Sequence, residues 1–352
     1  MKLFSPFRIR DIELKNRIVV SPMCEYSAKD GHPQAWHLVH LGSRAIGGAA
    51  LVFTEATAVE ERGRISAADT GIYDDAHIAS WRTITEFIRA HGAVPGMQLA
   101  HAGRKASTSV PWTGGKPVAV KDGGWEPVAP SALAFDAGYT VPHELSKSEI
   151  AGIVAAFRKS AERALAAGFE ILEIHAAHGY LLHQFLSPLC NTRTDEYGGK
   201  FENRVHLVKQ VAQAVREVLP QRLPLFVRVS ATDWKEGGWD LGQTIALAAQ
   251  LKPLGVDLID VSSGGAVPGV KIPMGPGYQT GFAEAIRKEA GIATGALGMI
   301  TEAVQAETIL STEQADLVFL ARELLRDPYW PRRAAKALDA KIKAPVQYER
   351  AW

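Results

Sequence analysis

The sequence has 352 residues, of which 47% are hydrophobic and 22% charged, and its formal net charge at pH 7 is +1. This composition is typical of a globular protein with a large core, and the scattered Lys and Arg residues exclude a basic surface for nucleic acid. The only two cysteines, Cys24 and Cys190, exclude a disulfide framework and a four-cysteine metal cluster within one chain.

The N-terminal segment has no apolar stretch of signal-peptide length, and no apolar run is long enough to span a bilayer. We therefore expect a cytoplasmic protein with neither a membrane nor a nucleic-acid partner.

Eight short runs rich in β-branched residues follow one another, and amphipathic stretches separate most of them. The runs cover residues 17–23, 49–56, 93–100, 170–177, 225–231, 258–264, 294–300 and 315–321. In the stretch 148–168, apolar residues recur at helical spacing and Gly168 is a predicted C-cap. Strands that alternate with helices predict a parallel sheet. Eight such units without a linker predict an α/β fold, a single (β/α)8 TIM barrel over residues 1–352.

Two segments lie outside the repeat. Residues 1–16 predict a small hairpin that plugs the bottom of the barrel. Residues 107–145, rich in Gly, Pro and Trp, predict an excursion between the third strand and its helix, which serves as a lid or substrate wall. A dinucleotide-binding sheet fits less well, because G-x-G-x-x-G is absent after the first strand, where the chain reads SPMCEYS.

Active sites of such barrels lie at the carboxyl ends of the strands, and polar or aromatic residues follow nearly every predicted strand here. The residues at these strand ends are Pro22, Met23, Cys24, Tyr26, Glu55, Ala56, Gln98, His101, His175, His178, Arg228, the stretch SSGG at 262–265, Gly298 and Arg322. This convergence is typical of an enzyme, although a binding barrel shares it.

The stretch HAAHGY places His175, His178 and Tyr180 on the loop after the fourth strand. A metal site, a packed loop and an organic catalytic site are the three alternatives. A catalytic zinc needs a third protein ligand, and no carboxylate ends this strand, so we expect no metal. Two imidazole N–H groups aimed at one oxygen would stabilise an enolate, and a tyrosine beside them would supply a proton. That chemistry also needs a source of hydride.

The last two strand ends indicate a phosphate site, because Gly298, a helix start and Arg322 follow them. Arg228 would place a positive charge against an electron-accepting ring, and Gln98 would bond the ring's polar edge. Taken singly, Arg228 is equally well a strand-end ion pair. A phosphorylated redox ring fits the combination, and FMN fits better than a nicotinamide because no dinucleotide fingerprint is present.

Several longer motifs occur in an order that resembles one known family. They are SPMCEY, EATAV, QLAHAGRKA, HAAHGYLLHQFLSPLCNTRTDEYGG, ENR and RELLRDPYW. The sequence resembles the Old Yellow Enzyme flavoproteins, and within them the bacterial ene-reductases that include xenobiotic reductase A and the YqjM-type enzymes. The resemblance covers nearly the whole chain, and its most specific block is residues 175–199.

This resemblance implies tightly but non-covalently bound FMN and a ping-pong cycle. NADPH or NADH reduces FMN and leaves, and the reduced flavin passes hydride to the β-carbon of an α,β-unsaturated carbonyl compound. The implied FMN contacts are Ser21, Pro22, Met23, Cys24, Ala56, Gln98, Arg228, Ala321 and Arg322, beside the Gly298 already noted.

The resemblance also implies roles in catalysis and substrate binding. His175 and His178 would bind the substrate carbonyl oxygen, and Tyr180 would protonate its α-carbon. Tyr26 would border the substrate. Cys24 would lie near the flavin, tune its potential and touch the substrate, whereas the commoner fate of a lone cysteine is a small buried thiol.

By the same resemblance, the C-terminal segment 345–352 implies a homodimer with a shared site, in which Arg350 reaches into the neighbouring subunit.

The sequence differs from the family pattern at two positions of the predicted phosphate site. Met299 stands where many relatives carry glycine, and Ala321 replaces a usual glycine, which matters if that position needs a positive φ.

A metal-dependent hydrolase and a non-catalytic flavin- or phosphate-binding barrel remain alternative functions. The sequence determines neither the physiological substrate nor the choice between NADPH and NADH.

Overall fold

The computed structural model describes residues 1–351, and eight parallel strands of it close into a barrel. The strands are β1 (Phe7–Ile9), β2 (Ile12–Leu14), β3 (Ile18–Val20), β4 (Leu51–Ala58), β5 (Val94–Ala100), β6 (Val128–Ala129), β7 (His143–Glu144), β8 (Ile171–Ala176), β9 (Leu225–Ser230), β10 (Leu258–Ser262), β11 (Ala293–Ala296) and β12 (Leu317–Leu320). The barrel takes β3, β4, β5 and β8 to β12 in chain order, and β12 pairs with β3 to close it. The predicted TIM barrel is confirmed, and each of its eight predicted strands overlaps an observed one.

Helices follow the barrel strands and form the outer layer. They are α1 (Ala35–Gly47), α2 (His77–Ala90), α3 (Lys147–Ala166), α4 (Leu181–Leu186), α5 (Phe201–Arg204), α6 (His206–Val218), α7 (Leu241–Leu251), α8 (Thr280–Ala290), α9 (Ala303–Ser311), α10 (Arg322–Arg326) and α11 (Trp330–Ala337). Within residues 1–351, none of them combines the length and apolarity that crossing a bilayer requires.

The longest helix, α3, shows how local sequence sets the element bounds. The hydroxyl of Ser146 accepts a hydrogen bond from the Glu149 N–H, and the Glu149 carboxylate reaches back to the Ser146 N–H. Such a capping box stabilises a helix start by about 1 kcal/mol. At the other end the helix stops at Ala166, and Gly168 has a φ of +92° that turns the chain into β8. The predicted helix is confirmed, but its C-cap is Ala167, and Gly168 is the left-handed residue that follows the cap.

The barrel interior is filled by aromatic rings from different strands. Phe53 lies with its ring centroid 6.0 Å from that of Phe226 and 6.2 Å from that of Phe319. Gly96 and Gly295 make room for these rings, since a Cβ on either would come within 2.6 Å and 2.2 Å of a phenyl carbon. A close-packed interior of this kind gives the strand ends above it a rigid base.

The hairpin β1–β2 covers the amino-terminal ends of the barrel strands. Arg10, between its two strands, forms an ion pair of 2.7 Å with Asp257 and donates to the Gln221 carbonyl at 2.7 Å. Asp257 directly precedes β10, Gln221 lies in the loop before β9, and Leu14 of the hairpin is fully buried. The hairpin therefore closes the end of the barrel opposite the strand carboxyl ends, where the sequence predicts it.

The 107–145 excursion carries the short parallel pair β6–β7 and is tied to the barrel by Arg104. One Nη atom of Arg104 donates to the Leu133 carbonyl at 3.2 Å, and the other donates to the Ala266 carbonyl at 2.8 Å and to the sulfur of Cys190 at 3.1 Å. This buried guanidinium joins the excursion to the loops that follow α4 and β10. The excursion is thus anchored beside the barrel mouth.

Candidate active site

The turn between β8 and α4 carries His178 and depends on two successive left-handed residues. His178 has a φ of +59° and Gly179 a φ of +70°. A Cβ added to Gly179 would lie 2.0 Å from the carbonyl oxygen of Gly265, in the loop after β10. Gly265 is itself left-handed, and a Cβ there would meet the backbone of His178 at 2.7 Å. The two turns interlock, so both positions require glycine.

Three neighbouring loops fix this turn further. The N–H of His178 donates to the hydroxyl of Ser230 at 2.9 Å, and that hydroxyl donates to the Gly264 carbonyl at 2.8 Å. Lys105, in the loop after β5, donates from Nζ to the carbonyl of His178 at 2.8 Å and to that of Gly265 at 3.2 Å. The loops after β5, β9 and β10 therefore hold the histidine turn in one conformation.

The structure brings His175, His178 and Tyr180 together, as the sequence predicts. The imidazole centroids of the two histidines are 5.1 Å apart with planes at 88°, and the His175 and Tyr180 rings are 5.1 Å apart at 87°. Within residues 1–351, no three or more His, Cys, Asp or Glu side chains are grouped so as to hold a metal ion.

The charge states of these groups follow from burial and from nearby cations. Burial, followed by the Arg228 guanidinium, lowers the pKa of His175 and of His178 well below the ordinary value. Both imidazoles are therefore neutral at pH 7, and each has one N–H. Burial raises the pKa of Tyr180 well above its ordinary value, so the phenol keeps its proton. The site thus combines two neutral N–H donors with one O–H acid.

Arg228 lies beneath this cluster and takes part in a buried polar network. Its guanidinium donates to the Ser21 hydroxyl at 3.1 Å and lies 3.1 Å from a carboxylate oxygen of Asp260. Burial raises the pKa of Asp260 to about 6 and that of Glu173 well above the ordinary value. Arg228 therefore forms the ion pair with Asp260 of β10 and places a cation under the mouth, whereas its contact with a redox ring stays a prediction.

Gln98 and Ala56 occupy the neighbouring strands in register. Ala56 pairs with Gln98 across β4 and β5, and Gln98 pairs with Glu173 across β5 and β8. The Gln98 amide donates to Glu173 at 2.8 Å, and both side chains are buried. The second Glu173 oxygen has no hydrogen-bond partner within the described part of the chain, which leaves it available to a donor from outside the chain.

The loop after β3 brings Cys24 and Tyr26 to the same end of the barrel. Glu55 holds this loop, because it accepts from the Glu25 N–H at 3.0 Å and lies 2.8 Å from the imidazole of His37. Burial raises the pKa of Cys24 well above the ordinary value, so it is a thiol at neutral pH. Tyr26 has a φ of +47°, and in the 107–145 excursion Trp112 meets its ring edge-on, with centroids 6.0 Å apart. The excursion therefore reaches the site.

The ends of β11 and β12 offer a place for a phosphate. Gly298 has a φ of +111°, and a Cβ there would come within 2.9 Å of Gln279 and 3.0 Å of Tyr278. Met299 also adopts a left-handed φ, of +52°, whereas Ala321 has a φ of −106°. Alanine at 321 therefore carries no left-handed strain.

The residues present fit FMN. Arg322 begins α10, is exposed, and forms no ion pair with any residue between 1 and 351, so its guanidinium is available to a phosphate. Gly298 places a left-handed turn at the same end of the barrel, Arg228 supplies a fixed cation under the mouth, and Gln98 supplies an amide. These features match a phosphate, an electron-accepting ring and the polar edge of that ring.

Lys105 and Ser262 lie in the site, yet the sequence gives no role to either. Lys105 stands within the QLAHAGRKA motif, and its Nζ lies 5.1 Å from the centre of the Tyr180 ring. Ser262 belongs to the SSGG end of β10, and its Oγ lies 2.7 Å from Nε2 of His178. A run of polar and glycine residues at a barrel-strand end is the signal that could have identified Ser262.

Arg350 is not brought to this cluster within its own chain. It is exposed in a 3-10 turn at Val346–Ala351. The residues before it, 341–347, line a cleft of about 520 Å³ together with Asn16 and Gly48, at the amino-terminal ends of β3 and β4. The tail thus starts from the end of the barrel opposite His175, and its predicted role concerns a second copy of the chain.

Comparisons with known proteins agree with this geometry. The model of the NADH:flavin oxidoreductase / NADH oxidase family matches residues 2–341. An NADPH dehydrogenase from Bacillus licheniformis is 52% identical over 100% of this chain and 99% of its own length. Morphinone reductase in complex with tetrahydroNAD is similar in structure, with a TM-score of 0.79 and 29% identity over 97% of this chain and 92% of that one.

The Old Yellow Enzyme homologue from Zymomonas mobilis is likewise similar, with a TM-score of 0.80 and 28% identity over 98% of this chain and 95% of that one. The resemblance that the motifs predict is thereby confirmed. With a barrel, a candidate flavin site and a family model that matches almost its whole length, this chain belongs to the NADH:flavin oxidoreductase / NADH oxidase family.

Proposed function

We propose that this protein is an FMN-dependent NAD(P)H oxidoreductase, an ene-reductase that reduces the C=C bond of α,β-unsaturated carbonyl compounds. The observation that carries this proposal is the pair of neutral imidazoles, His175 and His178, beside the protonated phenol of Tyr180. Family membership supports FMN and a nicotinamide cofactor. So do the NADPH dehydrogenase relative and the similar morphinone reductase structure, which contains tetrahydroNAD.

The carboxyl end of the barrel would hold FMN. Ser21, Pro22, Met23, Cys24 and Ala56 would line its ring, Gln98 and Arg228 its polar edge, and Gly298, Ala321 and Arg322 its phosphate. When bound, FMN supplies the hydride carrier between the nicotinamide cofactor and the β-carbon of the substrate. The phosphate contacts would account for much of the affinity, since hydrogen bonds to a charged group contribute about 1.5–3 kcal/mol each.

His175 and His178 would bind the carbonyl oxygen of the substrate through one N–H each. Negative charge grows on that oxygen as the β-carbon gains a hydride, so both hydrogen bonds strengthen along the reaction. Loss of one positioned donor of this kind lowers the rate of the chemical step about 10²–10³-fold. Because both imidazoles are neutral, they hold the oxygen without protonating it.

Tyr180 would donate its phenolic proton to the α-carbon. Its O–H bond breaks as the new C–H bond forms, and the phenolate then recovers a proton from solvent. The ammonium of Lys105, 5.1 Å from the Tyr180 ring centre, favours the transient phenolate. Cys24 would adjust the potential of the flavin and touch the substrate, and Tyr26 would form part of the substrate wall.

The 107–145 excursion would act as the lid that sets substrate range. Two of its aromatic residues support this role, because Trp112 meets Tyr26 edge-on and the Phe135 ring centre lies 4.6 Å from Nζ of Lys105. Both partners lie beside the catalytic cluster.

The chain would function as a cytoplasmic homodimer that reduces xenobiotic enones, with residues 345–352 at the interface and Arg350 in the partner's site; Trp352 lies outside the described residues. The exposure of Val346 and Arg350 in a segment that turns away from its own site supports this arrangement. Light scattering that returns the mass of one chain at micromolar concentration would contradict it.

The first experiment is the visible spectrum of the purified protein, recorded anaerobically before and after NADPH and again after 2-cyclohexenone. We expect a flavin spectrum that bleaches with NADPH and returns with the enone. His175→Ala should slow the return about 10²–10³-fold at unchanged FMN content. His91→Ala, at the amino-terminal end of the barrel, is the matched control and should leave it unchanged. Absence of flavin even after added FMN would exclude the proposal, whereas flavin that is reduced but never reoxidised by the enone would exclude the substrate class.

A further inference from the structure

One contact of His178 remains without a role in the proposed reaction. Its Nε2 lies 2.7 Å from the hydroxyl oxygen of Ser262, the last residue of β10. Ser262 is 4% exposed, and its hydroxyl has no other hydrogen-bond partner within residues 1–351. A serine hydroxyl can donate or accept, so the contact has two possible directions.

The direction decides which nitrogen of His178 carries hydrogen. A neutral imidazole has one N–H and one bare nitrogen. If Nε2 donated to Ser262, the serine hydrogen would have no acceptor at a buried position, a cost of about 1–3 kcal/mol. Nδ1 would then present a lone pair where negative charge develops. If Ser262 donates to Nε2, the serine hydrogen and the Nε2 lone pair are both satisfied, and Nδ1 carries the hydrogen.

His175 has the opposite arrangement. Its Nδ1 lies 3.2 Å from the N–H of Ala177 and accepts from it, which leaves the ring hydrogen on Nε2. Neither Nε2 of His175 nor Nδ1 of His178 has a hydrogen-bond partner in the described part of the chain. The two rings lie at 88° with centroids 5.1 Å apart, so different nitrogens of the two rings can point to one acceptor.

We propose that Ser262 is a positioning residue that holds His178 as the Nδ1–H tautomer, so that His175 donates through Nε2–H and His178 through Nδ1–H. The identity of the acceptor, a substrate carbonyl oxygen, rests on the proposed function. The tautomer itself does not, because it follows from the contacts of His178 and Ser262. The lowered pKa of His178 supports the inference, since only a neutral ring has a tautomer to fix.

The test is ¹⁵N NMR of FMN-loaded protein labelled at histidine nitrogens, with the His178 signals assigned by their loss in His178→Gln. Long-range ¹H–¹⁵N correlations distinguish a protonated from a bare ring nitrogen. We expect Nδ1 of His178 to be protonated in the native protein and in Ser262→Thr. In Ser262→Ala we expect a mixture of tautomers. Ser263→Ala is the control, because that hydroxyl bonds Gln279 instead.

A native His178 protonated at Nε2, or unchanged His178 signals in Ser262→Ala, would overturn the proposal. A second readout is the affinity for 4-nitrophenolate, an oxyanion probe. We expect Ser262→Ala to weaken it about 10–100-fold, as for loss of one hydrogen bond to a charged group, and Ser263→Ala to leave it unchanged. Unchanged affinity in Ser262→Ala would also count against the proposal. If His175→Ala bound the probe as tightly as native protein, the proposed function would fail while the tautomer result stood.

Discussion

Replacing Gly179 by alanine tests whether the catalytic turn depends on the absence of one side chain. The new Cβ would lie 2.0 Å from the Gly265 carbonyl oxygen and 2.7 Å from its carbon. Both atoms belong to backbone that is itself left-handed and bonded to Lys105, so neither can move freely. Gly237 is the matched control, because its φ of +74° is close to the +70° of Gly179 and nothing lies within 4 Å of its Cβ position.

The expected loss of stability has two contributions, the left-handed backbone and the steric clash. A left-handed alanine costs about 1–2 kcal/mol at either position, and the clash at Gly179 adds about 1–3 kcal/mol as forced overpacking. For a chain of 352 residues, an unfolding entropy of about 2.1 cal/mol/K per residue gives roughly 0.7 kcal/mol/K, so 1 kcal/mol shifts Tm by about 1.4 °C. We therefore expect Gly179→Ala to lower Tm by about 3–7 °C and Gly237→Ala by about 1.5–3 °C.

Thermal unfolding, followed by circular dichroism, measures the difference in Tm between the two variants. The rate at which 2-cyclohexenone reoxidises the reduced enzyme measures whether the catalytic turn still works. Gly179→Ala should slow reoxidation at least 10²-fold, because displacement of the turn removes the His178 donor. Gly237→Ala should react normally. Equal losses of Tm in the two variants, or normal reoxidation in Gly179→Ala, would refute the interlocked turn.

Three further predictions concern charged groups. Burial lowers the pKa of Lys105 to about 8, so between pH 8 and 10.5 the unfolded chain binds a proton that the folded one has released, and stability rises with pH by up to about 3 kcal/mol. Burial also lowers the pKa of Lys15 to about 8, so in Lys105→Met the rise seen in urea unfolding should shrink to the part that Lys15 contributes, and a rise of undiminished size would contradict the assignment to Lys105. Asp233→Asn breaks a fully buried pair with His183, 2.9 Å apart, and should lower the free energy of unfolding by about 3–5 kcal/mol; a loss below 1 kcal/mol would show that the pair is dispensable. Arg322→Ala should weaken FMN binding about 10–100-fold without changing the Tm of FMN-free protein, and unchanged affinity would exclude Arg322 from the phosphate site.

The barrel is predictable from sequence because its strands are buried on both faces. Such strands read as near-continuous apolar runs, and β12, which reads LVFL, is apolar and buried throughout. Their ends are less predictable. The run at 294–300 predicts a strand beyond residue 296, whereas β11 ends at Ala296, and Gly298 and Met299 then turn left-handed. Tertiary contacts with Tyr278 and Gln279, distant in sequence, set that turn.

The candidate site is predictable where residue type alone indicates chemistry. His175, His178 and Tyr180 stand close in sequence, and their functional groups suffice to suggest an oxyanion site with an acid. The contribution of Lys105 depends instead on two backbone carbonyls, one of them 73 residues away. The contribution of Ser262 depends on whether its hydroxyl donates or accepts the hydrogen bond with His178. The SSGG run marks Ser262 as a strand-end residue, but the sequence does not show to which atoms Ser262 and Lys105 donate.

The interlocked glycines also indicate which parts of the mouth can evolve. Gly179 and Gly265 meet through backbone with no room for a Cβ, so a change in either loop requires a simultaneous change in the other. Trp112 and Phe135 reach the site through side chains alone and can be exchanged one at a time. A directed-evolution library aimed at new substrates should therefore randomise positions 112 and 135 and keep both glycines fixed.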